Sequence, residues 1–173
     1  MAKAKRWIAI AGSWRKTSKQ VENDVRDCVK KIINEENGVV TGGALNVDSF
    51  ATDEVLKLNP TADHIKIFLP VPLNLYAQHY RKRANDGVIT QQQAENLIAQ
   101  LFKVKALNSN AIHENQINTE VNKDTYFERI TKIIDQSDEL VAFQVNKSEG
   151  VQDTIEKAKT KGIPVKLFTY TIE

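Results

Sequence analysis

Short apolar runs, each cut off by glycine or proline, alternate along this chain with segments of helical periodicity. Trp7 to Ala11 is such a run and breaks at Gly12-Ser13, the pattern of a fully buried strand ending in a turn. After Ser18, which is placed to cap a helix, Val21, Val25, Cys28, Val29, Ile32 and Ile33 recur at helical spacing until Gly38. Val39-Val40-Thr41 is a second strand, Gly42-Gly43 a tight turn, and 47–58 a helix closed by Asn59-Pro60. Ile65 to Leu69 is a third strand, with Pro70 and Pro72 at its exit.

The middle of the chain is predicted as an insertion over 73–122. Residues 73–85 read as a basic-ended helix, and Thr90 caps a second one with Ala94, Leu97, Ile98, Leu101 and Phe102 as its stripe. The Asn-rich stretch 105–122 has no clear period and reads as a loop. Helix returns over 123–136, followed by a strand at 140–143, a helix at 151–161 and a last strand at 165–170 after Gly162-Ile163-Pro164. The order predicts an α/β fold: a Rossmann-like open, mainly parallel sheet with helices on both faces and a helical insertion after the third strand. Its ligand crevice would lie beyond the carboxyl ends of the strands.

With 173 residues, one domain spanning 1–173 is expected. Lys+Arg 24 against Asp+Glu 22 leaves a formal charge of +2, too weak to imply nucleic acid, so no nucleic-acid partner is expected. The apolar run at the amino terminus is too short for a signal peptide or a membrane span, and a cytoplasmic protein without a membrane partner is expected. The lone Cys28 cannot form an internal disulfide and is read as a small buried hydrophobe. Asn146-Lys147-Ser148 matches the glycosylation pattern, but with no export signal it is read structurally.

Candidate chemistry falls at four places. In Gly12-Ser13-Trp14-Arg15 a glycine turn exposes N–H groups, Ser13 adds a donor and Arg15 a planar fork for phosphate oxygens. Gly42-Gly43-Ala44-Leu45-Asn46-Val47-Asp48 permits close approach of a ligand to the backbone at a helix N-terminus. Asp48 is either a helix-dipole partner or an acceptor for ribose hydroxyls. Asn146 to Thr154, with Ser148 and Gly150, offers a further anion-friendly helix start. Tyr126-Phe127-Glu128-Arg129 reads, on residue chemistry alone, as a helix with a surface ion pair. His64, His79 and His113 are scattered, so no metal site is expected, and no cofactor. Arg81-Lys82-Arg83 with Tyr76, His79 and Tyr80 has the chemistry to bind phosphates or a nucleic-acid backbone, but a solvated helix end beside half-buried aromatics is the commoner reading and the one expected; helices 73–104 are candidates to pack on a second copy.

These residues resemble the SLOG superfamily, the Rossmann-like group containing the LOG phosphoribohydrolases and the DNA-processing protein A family, over roughly 6–70 and 123–170. Ala11-Gly12-Ser13 with Arg15, and Thr41-Gly42-Gly43-Ala44 with Asp48, are similar to the paired glycine signatures of the DNA-processing branch; Asn46 stands where that branch usually has glycine. Glu128-Arg129, continuing to Ser137-Asp138, looks like the LOG segment that carries a catalytic arginine. In LOG enzymes a PGGxGTxxE loop follows, whose glutamate serves N-glycosidic cleavage. Matching Gly150 to its last glycine puts Thr154 in the glutamate's place.

The resemblance implies binding of a nucleotide or nucleotide-derived, phosphate-bearing small molecule at the carboxyl edge of the sheet. Arg15 and Arg129 would be charge partners, with Gly12, Ser13, Gly42, Gly43, Asn46, Asp48, Ser148, Gly150 and Thr154 around the ligand. Two alternatives are an N-ribosyl hydrolase or transferase using Arg129 and Glu128, with Glu149 or Asp153 as other substitutes for the lost acid, and single-stranded DNA binding. Whether the chain is an enzyme is left open.

Overall fold

The computed structural model describes residues 4–173. The strands β1 (Trp7–Gly12), β2 (Gly38–Gly42), β3 (Ile65–Leu69), β4 (Ile112–Glu114), β5 (Glu139–Val145) and β6 (Val165–Tyr170) form one sheet in the order β4-β3-β2-β1-β5-β6. Every pairing is parallel. The helices are α1 (Lys19–Asn34), α2 (Val47–Leu58), α3 (Leu73–Asn85), α4 (Gln91–Leu107), α5 (Lys123–Asp135) and α6 (Glu149–Lys161).

Side chains alternate across a strand, so each buried strand feeds two cores. Ile8 and Ile10 join a cluster with the buried faces of α1, α2, α3 and α4, whereas Ala9 and Val40 join one built from α5 and α6. Ser18 accepts from the Val21 N–H at 3.2 Å and starts α1, whose Val21, Val25, Val29 and Ile32 are buried. From β1 the chain runs outward through β2 and β3 to β4, then returns to pair β5 against the other side of β1. That reversal opens a crevice at the carboxyl ends of β1 and β5, the expected ligand position in an open α/β sheet.

The stretch 105–122 differs from expectation. It holds the end of α4, a short 3-10 turn (Ser109–Ala111) and β4, which pairs with β3 through Ile67–Ile112, Phe68–His113 and Leu69–Glu114. Three residues are too few to show a period, and tertiary pairing supplies what local pattern lacks. The insertion thus completes one edge of the sheet. Its helices bury Tyr76, Tyr80, Leu97, Ile98 and Leu101 within the chain, while Phe102, expected in the stripe, is 41% exposed. Tyr76 and Tyr80 belong to this core rather than to a solvated helix end. Cys28 is half-buried, and burial pushes its thiol up to about 11. Asn146 and Lys147 form a left-handed turn held by two hydrogen bonds between the Asn146 side chain and the Ile172 backbone. Among the described residues, no helix is long and apolar enough to cross a membrane.

Candidate functional site

A cavity of about 280 Å³ opens where the sheet reverses. Its floor is the carboxyl ends of β1 and β2 (Ile10 to Gly12, Gly42, Ala44), and its walls come from α5 and the first turns of α6. Tyr126, Phe127, Ile130 and Ile133 recur on one face of α5, so that face supplies an aromatic and apolar wall. Lys123, one turn earlier, stands at the mouth with Glu149 of α6, the two paired at 2.8 Å and largely exposed.

Gly12 and Gly42 end neighbouring strands and both line the cavity, so the two glycine bends do converge. A Cβ on Gly12 would strike Val47 at 2.4 Å, and one on Gly42 would stand 2.7 Å from Nη1 of Arg129. The backbone is bare there because the packing leaves no room for a side chain. Gly43 is directed elsewhere: its Cβ would meet Leu69 at 2.7 Å and Leu101 at 3.2 Å, inside the core and away from the cavity.

The remaining candidates divide in the same way. Asp48, Arg129, Ser148, Gly150 and Thr154 line the cavity; Ser13, Arg15, Asn46 and Glu128 do not. Ser13 is buried and clamps β1 to β5, its Oγ donating to the Val145 carbonyl at 3.3 Å and accepting from the Val145 N–H at 3.0 Å. Asn46 has φ +65° and donates from Nδ2 to the Trp14 carbonyl, tying the first loop to the second. Its positive φ is a conformation that glycine adopts most readily, so the loop holds Asn46 there at some conformational cost. Glu128 faces out and accepts from Asn115 at 3.1 Å and Asn118 at 3.2 Å. Those bonds hold Glu128 toward the 115–118 segment, while Arg129 lines the cavity. Thr154 is buried with its hydroxyl donated to the Gly150 carbonyl at 2.8 Å. Asp153 is paired with Lys157 at 2.6 Å, outside the cavity. Asp48, against Gly42 at the floor, and Glu149, at the mouth, are therefore the carboxylates that line it.

Arg129 and Asp48 set the electrostatics. Arg129 is 9% exposed, lies over the Tyr126 ring at 4.8 Å, and its Nε and Nη1 find no hydrogen-bond partner among the described residues. It is not the surface ion-pair residue that its neighbour Glu128 suggested. Asp48 is 6% exposed and accepts from the Ala44 N–H at 3.2 Å. Burial pushes its carboxyl from the usual 3.8 up to about 6, against the opposing pull of the Arg129 charge. Buried donors without partners cost roughly 1–3 kcal/mol each, so the Arg129 guanidinium is a place where a ligand gains. The first turn of α6 adds to this: Ser148 makes no side-chain cap, leaving the N–H groups of Glu149 to Val151 to face an incoming acceptor.

Beside the cavity, and sharing Trp14 and Ser148 with it, a shallow groove is lined by Arg15, Lys16, Val88 and Asn146. Arg15 stacks on the Trp14 ring at 5.5 Å and Arg83 of α3 at 4.9 Å. Arg83 is oriented by its Nε–H, which donates to Nε2 of His79 at 2.8 Å. Burial, with the nearby Arg83 charge, pushes His79 down to about 4, so it stays a neutral acceptor. Arg83 is visible in the sequence as part of a basic cluster, but its pairing with Trp14, some seventy residues away, is not. For Lys123 the signal is the helical spacing with Tyr126, Phe127 and Ile130.

No protein-family model and no curated protein matches this chain. Solved structures do. DNA processing protein A from Helicobacter pylori, described for its single-stranded DNA binding mode, superposes with a TM-score of 0.69 at 18% identity, covering 94% of this chain and 64% of that one. The chain thus spans less than two thirds of that protein's length. DNA processing protein A from Streptococcus pneumoniae gives 0.52 at 15% identity, with 95% and 58% covered, and the structural-genomics target TM1055 gives 0.55 at 11%, with 92% and 72% covered.

The expectation of no nucleic-acid partner does not stand. A protein of the same fold is described as binding single-stranded DNA, and a formal charge of +2 sums over a surface on which Arg15, Lys16 and Arg83 gather around one tryptophan. Sheet order, crossovers and superposition lead to one statement: the chain has a Rossmann-like α/β fold of the kind seen in DNA processing protein A.

Proposed function

We propose that the chain binds a nucleotide or nucleotide-derived, phosphate-bearing small molecule in this cavity, as a protein of the cytoplasm. Gly12 and Gly42 form the floor, and Ser148, Gly150 and Thr154 belong to the α6 wall. The α6 N–H groups and Lys123 offer the phosphate a partial and a full positive charge. The observation that carries this reading is Arg129, a buried guanidinium with two unpartnered nitrogens beside Gly42 in a cavity lined mainly by apolar and aromatic groups. Such a constellation, a concave apolar site with few convergent polar groups, is typical of small-ligand sites. A thermal-shift series against nucleoside mono-, di- and triphosphates tests it, since a ligand of the native state raises apparent stability by mass action. No shift with any nucleotide at millimolar concentration would remove the reading.

Single-stranded DNA is the second reading, favoured by the Trp14 groove that continues from the cavity. A half-buried aromatic flanked by arginines is the kind of surface on which bases stack and phosphates dock. The likeness to a DNA-binding protein of the same fold supports it. Fluorescence anisotropy with a labelled oligonucleotide at two salt concentrations separates the readings: strand binding weakens steeply with salt. N-ribosyl cleavage has less support, because Thr154 stands where a carboxylate would be needed, its hydroxyl is committed to Gly150, and Glu128 faces away. Release of free base from a nucleoside monophosphate is its assay.

A further inference from the structure

The nucleotide reading leaves open which end of the ligand goes deep. Arg129 and Asp48 occupy the floor together: a Cβ on Gly42 would stand 2.7 Å from Nη1 of the one and 3.1 Å from Oδ2 of the other. Both are more than nine-tenths buried. Asp48, in the first turn of α2, is faced by Arg129 from α5, by the Thr41 hydroxyl near the end of β2 and by the Ala44 N–H of the turn that follows, while the Tyr76, Tyr80 and Tyr126 hydroxyls lie close enough to act on the Arg129 charge. A phosphate brought against Arg129 would therefore also sit beside a carboxylate, and like charges in a desolvated site repel strongly. A neutral group that carries donors and acceptors side by side meets no such penalty.

We infer that the cavity takes its ligand base-first, with the hydrogen-bonding edge of the nucleobase read by Asp48 and Arg129 at the floor and the phosphate left at the mouth. This rests on the nucleotide reading above and adds its orientation and its specificity-determining pair. Asp48 accepts from base N–H groups, and the unpartnered Nε and Nη1 of Arg129 donate to a base oxygen or ring nitrogen. Guanine matches most fully, since its Watson–Crick edge sets two adjoining N–H donors beside an oxygen acceptor. The walls agree: Ile10, Ile130, Ile133 and Val151 are apolar and Tyr126 and Phe127 aromatic, a lining suited to a planar ring that gives a phosphate few partners. The mouth agrees too, because Lys123 and the uncapped start of α6 lie there.

Calorimetry with guanosine, guanosine monophosphate and ribose 5-phosphate, at about pH 5 and about pH 7.5, tests the orientation on the full chain and on Asp48→Asn. Guanosine is the decisive probe because it has no phosphate to titrate. Base-first binding predicts that guanosine binds more weakly at the lower pH, by up to roughly tenfold, as the Asp48 carboxylate is protonated and its acceptor lost. In Asp48→Asn guanosine should bind at the weaker level at both pH values, and ribose 5-phosphate should bind far more weakly than guanosine monophosphate. The inference is overturned if guanosine affinity is the same at both pH values while ribose 5-phosphate binds as tightly as the nucleotide and gains from Asp48→Asn. Heat from none of the three probes would bring down the nucleotide reading and the orientation with it. Wild-type pH dependence alone decides the matter should the variant fail to fold.

Discussion

Nη1 of Arg129 and Oδ2 of Asp48 crowd the same side of Gly42, so that strand β2 ends in a bare backbone with a guanidinium and a carboxylate resting against it. One methyl group tests how much of the site depends on that contact. In Gly42→Ala the new Cβ would push on the far end of the long Arg129 side chain, which can shift, so stability should change by no more than about 1 kcal/mol. Nucleotide affinity should fall by roughly tenfold or more, since a misplaced guanidinium loses its charge-assisted bonds. Chemical denaturation and calorimetry on the same preparation read both numbers; unchanged affinity would detach Arg129 from binding.

Gly43→Val should behave in the opposite way. Its side chain would enter the core against Leu69 and Leu101, where nothing flexible can yield, and overpacking costs about 1–3 kcal/mol. Ligand affinity of the folded fraction should be nearly unchanged. A denaturant midpoint equal to that of the parent would contradict this.

Asp48 should make the unliganded protein more stable in mild acid. Its folded pKa, about 6, lies above its usual 3.8, so the folded state binds the proton more tightly. The associated stabilisation is complete below about pH 4 and is lost as pH rises through about 6, with a size on the order of 3 kcal/mol. In Asp48→Asn this segment of the stability profile should flatten. Urea midpoints between these pH values, for parent and variant, give the comparison.

Trp14→Ala should weaken binding of a single-stranded oligonucleotide by about 1–3 kcal/mol, the value of one lost stacking platform, and a mononucleotide by much less. Arg83→Ala should act in the same direction and lower the salt dependence. Anisotropy titrations with a labelled oligonucleotide measure both; equal losses for strand and mononucleotide would place Trp14 in the cavity site alone.

Much of this architecture is legible in the residues. The buried runs at Trp7 to Ala11 and Ile65 to Leu69 and the periodic Val21 to Ile33 announce themselves because burial on both faces or on one stripe leaves a pattern. β4 leaves none, being three residues long within an Asn-rich stretch, and exists because β3 offers it a partner. The glycine bends are equally visible, but a sequence cannot say which side of a glycine is covered, so Gly43 reads like Gly42 until Leu69 and Leu101 are seen against it. Glu128 is drawn off by Asn115 and Asn118, partners from a segment whose place in the fold the sequence does not show. The partnership of Arg129 with Asp48, and of Arg83 with Trp14, comes from elements brought together only by the sheet order.

One wall of the cavity depends on a very distant pairing: the Trp7 N–H bonds the Asp138 side chain across 131 residues, and Ser13 closes the other end of the β1–β5 ladder across 132. Ribosomal synthesis therefore delivers the central strand long before the neighbour that completes its crevice, and contacts so remote in sequence form slowly. A truncated product ending before β5 would lack the α6 wall altogether, so the cavity exists only once residues through α6 have been made.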